Sequence, residues 1–497
     1  MLDVGSNTAR LVVFRAGRAG ALRVLAEWKE VPRLGSDPAP DGSLRDATME
    51  RGVAALVRFS RILEEVGPER VLAVATSAVR DAPNAPEFLR RVRAASGFEL
   101  RILSGAEEAR YAYLGVASAW ELGSALVCDL GGGSLQIVAT SPGRLKNSVS
   151  LPLGALRLHR RYLNHDPPKG REFEELREAV REALAASLAA FGGGPYDLIG
   201  LGGTVRAMAR ASIELRAYPI ARVHGYRLRA RDLEALAELL AEMPADRRRS
   251  VPGIGSDRAD VVLVGLVLFE ELLRAARATE ITVSGTGIRE GIALEAIGAR
   301  LPADAEELAH RSVSALAEGI GFDLAEGERL AESATELLEA TAGGGGPDPS
   351  ERRALRVAAW MRGAGAAIDL WRYARHSAYL VRNVPIHGLT LRETLLASLA
   401  LDGEADAGAA ASPAGRKEGL PGRGATDRAI ARRLGLFLQA AAGLGPARPR
   451  FAHGEGGKTL SVALDRDRAA VVNPRTVEKI RRMLERETGR EVVVVGP

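Results

Sequence analysis

Asp3-Val4-Gly5-Ser6-Asn7-Thr8 and Asp129-Leu130-Gly131-Gly132-Gly133-Ser134 share one design. In each, an aspartate ends a short strand, small residues make a tight turn, and the chain leaves as a second strand, Leu11–Phe14 in the first case and Gln136–Thr140 in the second. Glycine lets the backbone approach a ligand closely with its N–H groups pointing outward, which is the geometry a phosphate needs. A carboxylate just before such a turn can hold a divalent cation or a metal-bound water. Asp3 and Asp129 are therefore candidate metal ligands, and Gly5, Ser6, Asn7, Gly131, Gly132, Gly133 and Ser134 candidate phosphate contacts. Either segment alone reads equally well as a plain glycine hairpin. Their recurrence points to two similar halves facing each other across a cleft, each with one phosphate clamp.

Strands must hold these turns, and the chain supplies them. Short β-branched runs at Leu11–Phe14, Val71–Thr76, Glu99–Ser104, Ala125–Asp129, Gln136–Thr140, Leu198–Gly202 and Glu280–Ser284 alternate with stretches of helical periodicity at Thr48–Val66, Ala85–Ser96, Glu107–Leu122 and Arg171–Phe191. This is α/β layering. Met1-Leu2 leaves few residues for the strand that should precede the first turn, so that strand is expected to be stunted. From about Leu301 onward, strands give way to helical periodicity rich in Glu, Ala, Leu and Arg. Glu404–Gly424, rich in Ala, Gly and Pro, reads as a flexible linker. The chain then returns to strand, helix and strand at Leu460–Leu464, Asn473–Thr488 and Val492–Val495.

Composition narrows the partners. At about 150 residues per domain, 497 residues suggest roughly three domains. Lys and Arg number 68 against 63 Asp and Glu, and the net charge of +5 mildly favours a polyanionic partner. Aromatic residues make up only 4%, too few for the base-stacking platforms of single-strand binders, so nucleic acid is not expected. Cys128 is the single cysteine and no signal-peptide pattern is present, so the chain reads as cytoplasmic. The longest apolar run, Val261–Phe269, falls well short of the roughly 20 residues a membrane helix needs, and no membrane partner is expected.

Seven stretches in order carry a resemblance: DVGSNTARL from Asp3, ATSAVRDA from Ala75, ILSGAEEAR from Ile102, CDLGGGSLQI from Cys128, LGALRL from Leu153, LGGTVR from Leu201 and VSGTGIREGI from Val283. The sequence resembles the exopolyphosphatase/guanosine pentaphosphate phosphohydrolase (Ppx/GppA) family, within the actin-like, ribonuclease-H-fold phosphotransferase superfamily. The resemblance implies an α/β fold with two ribonuclease-H-like domains flanking a cleft. An all-helical HD-like domain and a small C-terminal α/β unit are expected to follow. The boundaries read as 1–120 and 121–298 for the two α/β domains, 299–403 for the helical domain, 404–427 for the linker and 428–497 for the last unit.

Hydrolysis of a phosphoanhydride needs anion clamps, a cation, and a carboxylate that orients or deprotonates water. Glu107 and Glu108 open a helix, where acidic residues are ordinarily dipole partners, and adjacent helix residues point about 100° apart, so one at most faces the water. By the resemblance the catalytic glutamate is Glu108, with Glu107 in reserve. Arg80, at a strand end, can fork onto a phosphate oxygen or pair with Asp81. Gly202, Gly203 and Thr204 offer helix N-terminal N–H groups to an anion. Arg157, with Lys146, Arg160 and Arg161, is a candidate lining for the path of an anionic chain or a solvated basic face. The family carries Glu where this chain has Gln136, a position the resemblance links to the metal or the attacking water; Gln keeps the oxygen but loses the charge.

Two other signals are discounted. Ala452–Thr459 fits a permissive Walker A pattern, but prolines precede it and Leu460–Leu464 alternates like a strand, which makes a hairpin. Arg362-Gly363 stands where an HD-like domain has its metal-binding His-Asp, so no HD metal centre is expected there, and His376 reads as a packed histidine. The expected activity is hydrolysis of terminal phosphate from inorganic polyphosphate with Mg²⁺, or Mn²⁺ in its place. Guanosine pentaphosphate 5′-phosphohydrolysis, with guanosine penta- or tetraphosphate as partner, is the close alternative. A non-catalytic polyphosphate- or alarmone-binding protein and an actin-like kinase using Gly285, Gly287 and Arg289 in an adenosine pocket are further alternatives. Nothing in the sequence excludes a homodimer.

Overall fold

Each glycine turn closes a three-stranded meander, and the two meanders share one register. The computed structural model describes all residues except 18–19, 193–194, 343–344, 407–423, 455–457, 466 and 496–497. In it β1 (Leu2–Val4), β2 (Ala9–Ala16) and β3 (Leu22–Glu30) form the first meander, and β4 (Ala73–Ala75) and β5 (Arg101–Ile102) complete its sheet. The second consists of β6 (Ala125–Leu130), β7 (Leu135–Ser141) and β8 (Arg144–Leu151), joined by β9 (Asp197–Leu201), β10 (Arg227–Arg229) and β11 (Glu280–Val283). The orders are β3-β2-β1-β4-β5 and β8-β7-β6-β9-β11-β10, so the second repeats the first with one strand added. Asp3 pairs with Arg10 across β1 and β2, and Asp129 with Gln136 across β6 and β7. Directly opposed residues share a face, so each aspartate has one fixed neighbour beside its turn.

The strand before the first turn is short, and both of its edges are paired. β1 runs antiparallel to β2 and parallel to β4. Leu2 and Val4 point into the first core with Leu11, Leu56, Phe59 and Phe88, which turns Asp3 to the opposite face. β3 and β8 were absent from the expected strands. Charged or polar residues interrupt both, at four of nine positions in β3 and five of eight in β8, because each is the outermost strand of its meander and exposes one face.

The helix Gly105–Ala117, whose sequence position is within the first α/β domain, lies between the two sheets. It buries Ala109, Ala112, Tyr113 and Val116 against Val127, Val138, Ile199 and Leu201 of the second sheet, while Tyr111 meets Met1, Val74 and Leu103 of the first. It also packs backbone to backbone on the helix Ile288–Ala296. A Cβ on Gly115 would come within 1.9 Å of the Gly287 carbonyl oxygen, and one on Gly291 within 2.1 Å of the Tyr111 carbonyl oxygen, so both positions exclude a side chain.

The chain divides into two compact units, Met1–Ala303 and Asp304–Pro497. In the second, seven helices from Ala305–Ile320 to Pro474–Thr488 surround one core. β12 (Arg450–His453), β13 (Thr459–Ala463) and β14 (Glu491–Val495) form a sheet in the order β12-β13-β14. β12 and β13 pair antiparallel, the expected hairpin, although residues 455–457 of its turn lie outside the described residues. Leu460, Val462, Ile480, Leu484 and Val492 share a single core with Val313, Leu355, Phe437 and Leu438, so the C-terminal α/β segment and the helices are built around the same interior. Most of the expected linker, residues 407–423, lies outside the described residues, and its flanks belong to the helices Leu391–Asp406 and Gly424–Leu444. Arg362 donates to the Tyr373 hydroxyl at 2.5 Å and lies over its ring.

Candidate active site

The two turns meet at the mouth of the cleft. In each, the first glycine N–H closes the loop by donating to the fourth residue: Gly5 to the Thr8 carbonyl and Gly131 to the Ser134 carbonyl, both at 3.0 Å. Among the described residues no acceptor takes up the N–H groups of Ser6, Asn7 and Thr8, or of Gly132, Gly133 and Ser134. Unclaimed backbone donors in a tight turn are what an anion takes up. Ser6 Oγ lies 2.9 Å from Ser77 Oγ at the start of the short helix Ser77–Arg80. Gly154 braces the second turn from behind, where a Cβ would sit 2.2 Å from the Gly133 carbonyl carbon.

Three carboxylates line the same cleft, Glu108 buried and Asp3 and Asp129 partly so. Burial is the main reason their acidity weakens. It raises Asp3 above its ordinary value against the opposing charges of Arg289 and Arg10. Asp129 is pushed up to about 6 by burial and by Asp3, with Arg206 opposing. Glu108 is pushed up to about 7 by burial, then by Asp129 and Asp3, while Arg80 opposes the rise. Gln136, fully buried beside Asp129, donates to Ser134 Oγ at 2.9 Å and Ser150 Oγ at 3.1 Å.

Of the residues singled out in sequence, Asp3, Gly5, Ser6, Asn7, Glu108, Asp129, Gly131, Gly132, Ser134, Gln136, Gly202, Gly203 and Thr204 line this cleft. Four others do not. Glu107 closes a capping box, accepting from the Ser104 N–H and hydroxyl at 2.8 and 2.9 Å, and pairs with Arg101. Arg80 is not among the lining residues and stands behind one of them: its guanidinium binds Glu108, donates to the Leu103 carbonyl at 2.8 Å and reaches Asp81 at 3.5 Å. Arg157 donates to the Gly133 carbonyl at 3.0 Å and pairs with Asp81 at 2.5 Å, so it props the second turn from outside the cleft. Gly133 is not among the residues that line the cleft.

Four arginines complete the wall: Arg10, Arg206, Arg258 and Arg289. The first had a signal in the sequence, since Arg10 follows Asp3 at the offset at which Gln136 follows Asp129. Arg206 is partly buried and donates to the Ser284 carbonyl at 2.8 Å; loss of solvation lowers it to about 10, so it stays cationic at neutral pH. Arg258 had no motif to reveal it. Of the residues considered for an adenosine pocket, Gly287 and Arg289 line the same cleft, while the Gly285 N–H donates to His224 Nδ1 at 3.0 Å, the His224 ring stacks on Trp120, and Arg289 binds Glu27.

The residues present fit a hydrated Mg²⁺. That ion is ordinarily held by one or two carboxylates with waters and substrate phosphates, not by an all-protein cage. Asp3 and Asp129 would provide the two carboxylates, and the buried Asn7 Oδ1 in the same wall lacks a hydrogen-bond partner among the described residues. Among the described residues no group of three His, Cys, Asp or Glu side chains is placed to hold a metal ion.

A model of the Ppx/GppA phosphatase family matches residues 12–299, and one of domain III of these phosphatases matches residues 308–408. The chain belongs to the Ppx/GppA phosphatase family. Exopolyphosphatase 1 of Mycobacterium tuberculosis is 33% identical over 298 residues, covering 59% of this chain and 86% of that protein. Its Mycobacterium leprae counterpart is 31% identical over 319 residues, covering 63% and 93%. Among solved structures, an exopolyphosphatase from Cytophaga hutchinsonii (26% identity, TM-score 0.57) covers 60% of this chain and 98% of its own. A Ppx/GppA family member from Aquifex aeolicus (29% identity, TM-score 0.51) covers 60% and 96%. The two sheets are thus the actin-like halves of a Ppx/GppA protein, and the family makes the chain a hydrolase of the phosphatase type. No helix among the described residues is long and apolar enough to cross a membrane.

Proposed function

We propose that this chain is an exopolyphosphatase that hydrolyses the terminal phosphate of inorganic polyphosphate. One observation carries the reading: the described lining of the cleft combines two facing backbone clamps with four arginines and contains no aromatic ring, so it is furnished for successive phosphates and not for stacking a guanine.

The N–H groups of Ser6–Thr8, Gly132 and Ser134 hold the oxygens of the terminal phosphate, and Arg10, Arg206, Arg258 and Arg289 offset the charge of the chain behind it. Glu108 receives the proton of the attacking water as the new O–P bond forms and the bridging P–O bond breaks, releasing orthophosphate and a chain one phosphate shorter. A carboxyl displaced to about 7 matches a base working near neutrality. Arg80 holds that carboxylate in place. Asp3 and Asp129 would hold Mg²⁺ or its waters, and the ion when bound supplies charge neutralisation for the phosphate oxygens.

The test is phosphate release from long-chain polyphosphate and from guanosine pentaphosphate, side by side, for the wild type and Glu108→Ala. Preferential release from polyphosphate, lowered at least about a hundredfold in Glu108→Ala, is expected. Faster release from guanosine pentaphosphate would reverse the substrate assignment, and unchanged hydrolysis in Glu108→Ala would remove Glu108 from the mechanism.

A further inference from the structure

The outer strand β3 has one core face and one charged face. Trp28 packs toward the first core, so Glu27 and Lys29 project from the other side. On that side the register Asp3, Arg10, Lys29 runs as one row across β1, β2 and β3, from the cleft to the sheet edge. None of Glu27, Lys29 and Arg33 lines the cleft, yet each binds a residue of the second half of the unit. Glu27 Oε1 accepts from Arg289 at 2.9 Å and also binds Arg10, both cleft-lining arginines. Lys29 Nζ lies 2.8 Å from Asp257 Oδ2, and Arg33 Nη2 lies 2.5 Å from Asp260 Oδ2.

Asp257 and Asp260 bracket Arg258. Arg258 is 9% exposed and so close to the helix Gly203–Leu215 that a Cβ on Gly203 would meet its Nη2 at 2.3 Å. The same loop is tied to the first clamp, since Asn7 Nδ2 donates to the Asp257 carbonyl at 3.0 Å. Arg33 has φ 54°, a left-handed backbone that non-glycine residues adopt where their surroundings impose it, and its N–H donates to the Asn7 carbonyl at 3.1 Å. Three ionic ties from one strand and its exit therefore reach the two segments that carry Arg258 and Arg289.

We propose that β3 is a positioning strand for the reaction: Glu27, Lys29 and Arg33 set Arg289 and Arg258 against the phosphates of the substrate chain. The inference rests on the phosphate-chain reading above. Partly exposed ion pairs are individually modest, so loss of one tie should change affinity about two- to fivefold and reversal of one charge somewhat more.

Lys29→Glu, Asp257→Lys and the double reversal test it, with Lys29→Gln as a milder variant should Lys29→Glu fail to fold. Two readouts run together: KM and kcat on polyphosphate with Mg²⁺, and calorimetric affinity for tripolyphosphate in EDTA. Each single reversal is expected to raise KM and weaken tripolyphosphate binding about three- to tenfold with kcat changed less, and the double reversal to return both to within about twofold of wild type. Single variants with wild-type affinity, or a double no better than the worse single, overturn the proposal. A wild type that binds tripolyphosphate but releases no phosphate from polyphosphate sinks the functional reading alone, because the binding arm still judges the strand. A wild type that binds no phosphate chain overturns both.

Discussion

Replacing Arg80 by glutamine separates two jobs for this residue: gripping a phosphate, as its motif implies, or setting the charge of Glu108, as its contacts imply. The Glu108 side chain is 4% exposed and its carboxylate binds the Arg80 guanidinium. Burial already raises Glu108 to about 7 against the pull of Arg80. Removing an adjacent opposite charge raises a carboxyl by about 1–3 pH units. At pH 7 the ionised fraction would then fall from about one half to about one tenth or less, and kcat/KM by about fivefold or more. The sign is definite: the acid limb of the pH profile moves upward, and the variant regains activity by about pH 9. The assay is the initial rate of phosphate release from polyphosphate below KM, from about pH 5.5 to 9.5. A loss that is equal at every pH, with the limb unmoved, would refute the reasoning and return Arg80 to the phosphate.

Three further outcomes follow from the same cleft. Asp129, raised by burial to about 6, has its charged form disfavoured by folding, so this contribution to stability is present at low pH and lost as pH rises through 6. Asp129→Asn should therefore stabilise the metal-free protein at pH 8 by up to about 3 kcal/mol in thermal unfolding, with the gain shrinking on acidification, while abolishing activity. Gly154→Ala forces a Cβ to within 2.2 Å of the Gly133 backbone; a cost of about 1–3 kcal/mol in chemical denaturation and a weakened affinity for tripolyphosphate are expected, and unchanged binding would show that the second turn does not grip phosphate. Activity should disappear in EDTA and return with Mg²⁺, and hydrolysis that persists after exhaustive chelation would exclude Asp3 and Asp129 as metal ligands.

The cleft was legible where chemistry is written in short local patterns. Glycine turns after an aspartate need particular residues in sequence order, so both turns could be read directly. The arginines were harder, because a guanidinium reaches the cleft through contacts distant in the chain: Arg258 arrives from a loop held by Lys29 and Arg33. Arg80 shows the opposite difficulty. Its motif carries the residue, but only the fold reveals that a buried glutamate claims its guanidinium. β3 escaped the strand pattern because Arg23, Glu27, Lys29 and Glu30 interrupt its apolar residues. The place of the helix Gly105–Ala117 between the sheets was hidden for another reason: its apolar residues serve two cores at once, which periodicity cannot divide.

That helix has a mechanical consequence. Gly115 and Gly291 let the helices Gly105–Ala117 and Ile288–Ala296 touch along their backbones, and these two segments bridge the paired sheets. With no side chain between them, a displacement of one segment passes directly to the other. Glu108 stands on the first turn of one and Arg289 on the first turn of the other. The contact thus couples the seat of a cleft carboxylate to the seat of a cleft arginine with no compressible layer between them.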